Sequence, residues 1–163
     1  MKHGIRLLLA FLMISGSAHA LELKGEHPFG AGLILGEPTG LALRARVSEK
    51  NAIHGYFEFI GKNINAGADF VWKFTGPGFV SSEHRSEVLP YIGAGAIVAA
   101  VFDNAGLGAR MPFGVEWQPK NLAQLGFFFE IAPGVIFFGG DKDRTATGAW
   151  GIFNIALGGV YYF

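Results

Sequence analysis

The chain has 163 residues, with 13 basic, 13 acidic, 25 Gly, 16 Phe and no Cys. That length suits one domain, the charge balance offers nothing to a nucleic acid, and the lack of cysteine excludes both a disulfide scaffold and a lipid-modified N-terminal Cys. Half of the residues are apolar, yet past residue 20 the longest strongly apolar stretch, residues 89–102, is too short for a spanning helix and carries two glycines, so any membrane attachment has to come from strands.

Residues 1–20 read as a cleaved secretory signal. Lys2 and Arg6 precede an apolar run that ends at Ile14, and Ala18-His19-Ala20 has the small-x-small form of a cleavage site. The alternative, an uncleaved membrane helix, needs roughly twenty apolar residues, about twice what is present. The mature chain is expected to begin near Leu21, with 21–27 as a periplasmic lead and 28–163 as the folded domain. Loss of Lys2 and Arg6 takes the balanced charge of the full chain to −2.

From residue 28 onward, alternation with period two marks eight segments: 28–36, 40–47, 52–61, 64–74, 88–101, 107–118, 124–138 and 148–163. The breaks between them are rich in turn formers: "EPTG" (37–40), "SEKN" (48–51), "GKN" (61–63), "TGPGFVSSEHRSE" (75–87), "DNAG" (103–106), "QPKNLA" (118–123) and "GGDKDRTATG" (139–148). No pattern of period 3.6 competes, and there is no linker, repeat or low-complexity tract.

Alternate side chains of a strand point to opposite faces. One parity collects Phe29, Leu33, Leu35, Leu41, Leu43, Phe57, Phe70, Trp72, Phe74, Phe113, Val115, Trp117, Phe127, Phe129, Ile155, Tyr161 and Phe163, with almost no charge. The other collects Arg44, Arg46, His54, Glu58, Asp69, Lys73, Arg110, Glu116 and Glu130, interleaved with Gly30, Gly32, Gly93, Gly95, Gly108, Gly114, Gly134 and Gly158. A soluble barrel with the aromatic face inward is the competing reading. Eight strands enclose room only for side chains or one small ligand, so two dozen bulky residues would overfill it. Turned the other way, bulky groups meet lipid while a few charged chains fill a narrow lumen spaced by glycines, the pattern of a transmembrane β-barrel.

The fold expected is therefore an eight-stranded antiparallel transmembrane β-barrel with short turns. Closure removes the sheet edges that lipid does not tolerate, and an even strand count places both chain ends on the periplasmic side. Phe29, Trp72, Phe74, Trp117, Tyr161 and Phe163 then form a periplasmic aromatic girdle. Tyr161 and Phe163 also resemble the C-terminal signal read by the bacterial barrel assembly machinery.

"GLILGEPTGLALRARVSEKNAI" (32–53) resembles the start of a family of small bacterial outer-membrane barrels that opens with a G-L-x-x-G-E-P-T-G-L hairpin. "RMPFGVEW" (110–117) and "FFFEIAPGV" (127–135) are similar to that family's R-x-P-x-G-x-E and E-x-x-P-G segments, so the likeness spans most of the mature chain. In architecture the chain also resembles the membrane domain of outer membrane protein A. The resemblance implies an eight-stranded membrane barrel and supplies no catalytic residues.

Among the charged residues, Arg44, Arg46, Lys73 and Arg110 balance Glu58, Asp69, Glu116 and Glu130, and unpaired charge in a confined lumen would cost several kcal/mol each. A salt-bridge plug that fixes register is the structural reading, and a gated ion path or buried proton site is the functional one. His54 adds either pH sensitivity or a hydrogen-bonded filler. His84 and Ser86 have the bare outline of the His-x-Ser motif of lipid A deacylases, with Glu83 or Glu87 as orienting acid, but Glu87 stands where that family has Asn, and a solvated turn explains the stretch. Asp141 and Asp143 alone make a poor Ca²⁺ site. Glycine runs such as "GLGAR" (106–110) open no helix and lack the Lys-Ser/Thr of a phosphate cradle. The expectation is a non-enzymatic integral outer-membrane protein, monomeric and without cofactor, in contact with outer-membrane lipid and lipopolysaccharide. A narrow transport channel, a lipid A hydrolase and a soluble periplasmic barrel for an apolar ligand are the alternatives.

Overall fold

The structure, a computed structural model, describes residues 27–58, 63–75, 80–81, 86–101, 104–122, 124–138 and 148–163. The expected signal, most of the lead after it, and the tip of the 139–148 break with Asp141 and Asp143 lie outside the described residues, as do Glu83, His84 and Arg85.

The described chain is all-β. Its strands are β1 (Phe29–Gly36), β2 (Gly40–Arg46), β3 (Asn51–Glu58), β4 (Asn63–Lys73), β5 (Val80–Ser81), β6 (Ser86–Val101), β7 (Asn104–Arg110), β8 (Phe113–Pro119), β9 (Leu125–Phe138) and β10 (Gly148–Tyr162), with a 3-10 turn at Lys120–Leu122. They form one antiparallel sheet. It runs β10-β1-β2-β3-β4-β6, β6 pairs with both β7 and β8, each of those pairs with β9, and β9 pairs with β10 to close the ring. β5 stands aside from the ring and pairs only with the start of β6.

Nine strands thus make the ring where alternation alone counts eight. The difference lies at Met111-Pro112, inside the segment read as 107–118. Pro112 has no N–H to give to a ladder, so β7 stops at Arg110 and β8 starts at Phe113, end to end between the same neighbours. Two bonds hold the chain in line across the gap: Met111 N–H to Pro133 C=O at 2.9 Å and Gly93 N–H to Pro112 C=O at 2.8 Å. A second difference is in the 75–87 break, where Ser81 pairs with Ser86, so β6 begins two residues before the alternating pattern does.

Local chemistry closes the turns. At the β1–β2 turn Gly36 has φ of 114°, a region L side chains rarely adopt. Thr39 staples the same turn, its hydroxyl donating to Gly36 C=O at 2.5 Å and accepting from Gly36 N–H at 3.0 Å. At the β2–β3 turn the Ser48 Oγ accepts from Asn51 N–H at 3.0 Å, the local bond that makes serine a turn residue.

Exposure follows the alternation with the oily face outward. Leu33, Leu35, Leu43, Phe113, Phe129, Phe153 and Leu157 are exposed. The residues between them point into the ring and are buried, among them Ile34, Ala42, Tyr56, Val71, Ile97, Phe128, Ile136 and Val160. The apolar part of the interior forms three clusters, one of them Tyr56, Ile97, Ala99 and Ile136 with Ile152 against it. Phe29, Trp72, Phe74, Trp117, Tyr161 and Phe163 are all exposed, and all sit near the end of the ring where β1 begins and β10 ends.

Candidate functional site

The titratable side chains converge inside the ring. Arg44, His54, Asp69, Lys73, Arg110, Glu116 and Glu130 are buried, each 7% exposed or less, while Arg46 and Glu58 are half-buried. Burial on this scale follows from strand parity: each projects from the inward face of its strand, where the wall of the ring replaces solvent.

Arg110 is the hub. Its Nε donates to Asp69 Oδ1 at 2.9 Å and its Nη2 donates to Asp69 Oδ2 at 2.5 Å and Glu130 Oε1 at 2.8 Å. The fork of the guanidinium suits a bidentate carboxylate, giving short charge-assisted bonds. Glu130 also accepts from the Tyr91 hydroxyl at 2.8 Å, and the guanidinium lies 4.2 Å from the centre of the Tyr56 ring. A second cluster lies nearer the end of the ring where β1 begins. There Lys73 Nζ donates to Glu116 Oε2 at 2.9 Å, and Oε1 of the same carboxylate accepts from Tyr162 OH and Gln118 Nε2, each at 2.8 Å.

Glycine makes these meetings possible. Asp69 on β4 and Arg110 on β7 are both cross-strand partners of Gly95 on β6, one on either side. Strands two apart are separated by about 9.5 Å, and at Gly95 no side chain stands between the two groups. A Cβ built at Gly95 meets Asp69 Oδ1 and the Ala68 carbonyl. Tyr91 and Glu130 meet in the same way over Gly114, their common cross-strand partner. The inward aromatic rings lie on glycines too: Tyr56 opposite Gly67, Tyr91 opposite Gly114, Phe128 opposite Gly158 and Tyr162 opposite Gly30 are direct cross-strand pairs.

Of the eight charges grouped by parity, five meet in ion pairs: Asp69, Lys73, Arg110, Glu116 and Glu130. The other three find different company among the described residues. The Arg44 guanidinium sits 4.3 Å from the Phe128 ring centre and gives a 3.2 Å bond to Leu43 C=O, Arg46 sits 3.9 Å from the Tyr162 ring centre, and Glu58 accepts from the Asn65 amide. A cation over an aromatic face gains from the ring quadrupole when water is displaced, so the two arginines are held without a carboxylate. Tyr91, Phe128, Tyr162, Gln118 and Asn65 were not singled out by the sequence as partners. The signal for the three aromatics is an inward-parity ring opposite a glycine, which requires the register to be known.

His54 lies between Arg44 and Asp69 in register and stands edge-on to Tyr91, with ring centres 4.9 Å apart. Both its nitrogens are buried without a hydrogen-bond partner among the described residues, as are the Tyr56 hydroxyl and Arg110 Nη1. Ser86 is described as the first residue of β6, but its histidine counterpart in the His-x-Ser outline is not described, so no geometry joins the two. Among the described residues no three His, Asp or Glu side chains gather in a metal-binding set. What the arrangement can do is hold four β-strands, β4, β7, β8 and β9, to one another through ion pairs inside the ring and fill the space between them.

Comparison with models of known protein families, with curated proteins and with solved structures finds no match to this chain.

Proposed function

We propose that the chain is an integral outer-membrane β-barrel of non-enzymatic, structural or surface-interacting role, with a lumen closed by its own charges. Taking β7 and β8, which keep one register with β6 and with β9 across Met111-Pro112, as one stave gives a barrel of eight. The observation that carries the reading is the reversal of polarity. Phe113, Val115, Trp117, Phe127 and Phe129 are exposed on the outside of the ring while Lys73, Arg110, Glu116 and Glu130 are buried within it. Water favours the opposite distribution, since a continuous apolar exterior of this extent is a liability for a soluble monomer, whereas hydrocarbon requires it.

Two further features agree. A closed antiparallel ring pairs the backbone between strands, the condition that lipid imposes on any spanning sheet. The exposed aromatics Phe29, Trp72, Phe74, Trp117, Tyr161 and Phe163 collect at the end of the ring that holds the start of β1 and the end of β10, where an interfacial girdle on the periplasmic side belongs. The likeness of residues 32–41 to the opening hairpin of small outer-membrane barrels, a tight turn set by Gly36 and Thr39, points the same way.

Heat-modifiable migration is the test. Protein extracted from outer membranes should run at a different apparent mass before and after boiling, because a closed barrel resists detergent until heated. Recovery of the chain in the soluble periplasmic fraction without detergent would reject the proposal.

A further inference from the structure

The wall of the ring is uneven. β1, β2 and β3 hold 8, 7 and 8 residues, whereas β6, β9 and β10 hold 16, 14 and 15. β10 pairs with β9 from Gly148 to Tyr161 but with β1 only from Ala156 to Tyr162. The bonds at the two ends of the β1–β10 ladder, Glu37 N–H to Ile155 C=O at 2.9 Å and Phe163 N–H to Phe29 C=O at 2.8 Å, assign the odd-numbered residues of β10 to the β1 side. Even-numbered residues turn to the β9 side, as Tyr162 N–H does to Gln124 C=O at 2.7 Å. Beyond Gly36, therefore, Ala149, Gly151 and Phe153 direct N–H and C=O groups at a place where β1 has ended, with no backbone partner among the described residues. The outer face beside these residues is uncovered as well: nothing lies within 4 Å of a Cβ built at Gly151, and Phe153 is 60% exposed.

We propose that this edge of β10, residues 149–153, receives an extended strand of another polypeptide, laid antiparallel to β10 in line with β1. A row of amides and carbonyls at strand spacing is matched in full only by a second extended backbone, which is why open edges recruit strands. The depth of the edge rests on the membrane reading above. Counting the 9–11 residues of a spanning strand up from Tyr161 reaches about Gly151, so part of the edge lies where lipid offers no hydrogen bonds. The side chains of the incoming strand that follow Leu33 and Leu35 outward are apolar, because those two positions are exposed on the oily face. Its first residue is basic, because the exposed Glu37 stands at the foot of the slot. A second copy of this chain fits less well: copies held the same way up in one membrane would bring their β10 edges together parallel, the less stable pairing.

Amide hydrogen exchange of the chain folded in detergent micelles tests this, with the synthetic peptide Lys-Val-Thr-Val-Thr-Val as probe. Without peptide, the Gly151 and Phe153 amides should exchange faster than those of Ile152 and Asn154, which are bonded on the β9 side. Saturating peptide should slow Gly151 and Phe153 by about tenfold or more and leave Ile152 and Asn154 unchanged. Gly151→Pro removes an N–H from the open edge and none from the β9 ladder, and should abolish the effect. Absence of peptide protection, protection of Gly151 and Phe153 in the chain alone, protection that grows with protein concentration alone, or peptide protection of Phe153 undiminished in Gly151→Pro would each overturn the proposal. Failure of the membrane reading shows separately, as loss of heat-modifiable migration before any peptide is added.

Discussion

Gly95 decides whether Asp69 and Arg110 can meet, and the consequence is measurable. Gly95→Ala puts a methyl group where the Asp69 carboxylate lies; breaking a buried ion pair costs about 3–5 kcal/mol, and urea unfolding should show a loss of that order. Gly159→Ala is the control, because its Cβ would point outward with Phe127 no nearer than 3.6 Å, and its effect should stay within about 1 kcal/mol. Glu116→Ala leaves Lys73 buried without its carboxylate and takes the acceptor from Tyr162 and Gln118. That change should cost about 3–5 kcal/mol, whereas Glu49→Ala at an exposed turn should stay within about 0.5 kcal/mol. A double-mutant cycle between Lys73 and Glu116 that returns no coupling would contradict the pairing. Which charges share the inward face is legible in the sequence because parity alone sets the face. Which of them touch is not, because height along the ring depends on register. Arg44 and Arg46 show the limit: a count of charges pairs them with carboxylates, while the register puts them over Phe128 and Tyr162.

At the scale of the strand, alternation locates the elements and misjudges their ends. β9 is the clearest case, since Phe127, Phe129 and Phe137 turn out while Phe128, Glu130 and Ile136 turn in. The break at Met111-Pro112 is harder to read, because Phe113, Val115 and Trp117 keep the same parity as Leu107 and Met111 across it. The proline announces a missing donor, but only the partners on both sides, Gly93 and Pro133, show that the chain continues in line. Phe113 begins β8 and lies well inside the oily band. Phe113→Arg should destabilise the fold by about 2–4 kcal/mol in lipid or detergent, as a cation near the middle of a lipid-facing strand does. Near-zero change would place that face in water.

For the whole molecule, closure of the sheet and filling of its interior bear on passage. The Tyr56, Ile97, Ala99 and Ile136 cluster, with the Arg110 guanidinium against its Tyr56 ring, and the Arg110 and Lys73 ion pairs together occupy the interior, so an ion would have to part them. Planar-bilayer recordings should show no conductance for the protein, and none gained on Arg44→Ala. The claim on which everything else depends is the direction of the two faces, and spin labels placed singly along β9 read it most directly; the chain has no cysteine of its own to interfere. In lipid, labels at 127, 129 and 131 should collide readily with oxygen and poorly with a water-soluble nickel reagent, while labels at 128, 130 and 132 should be shielded from oxygen. If 127, 129 and 131 were the shielded set, with 130 open to the nickel reagent, the account would be wrong.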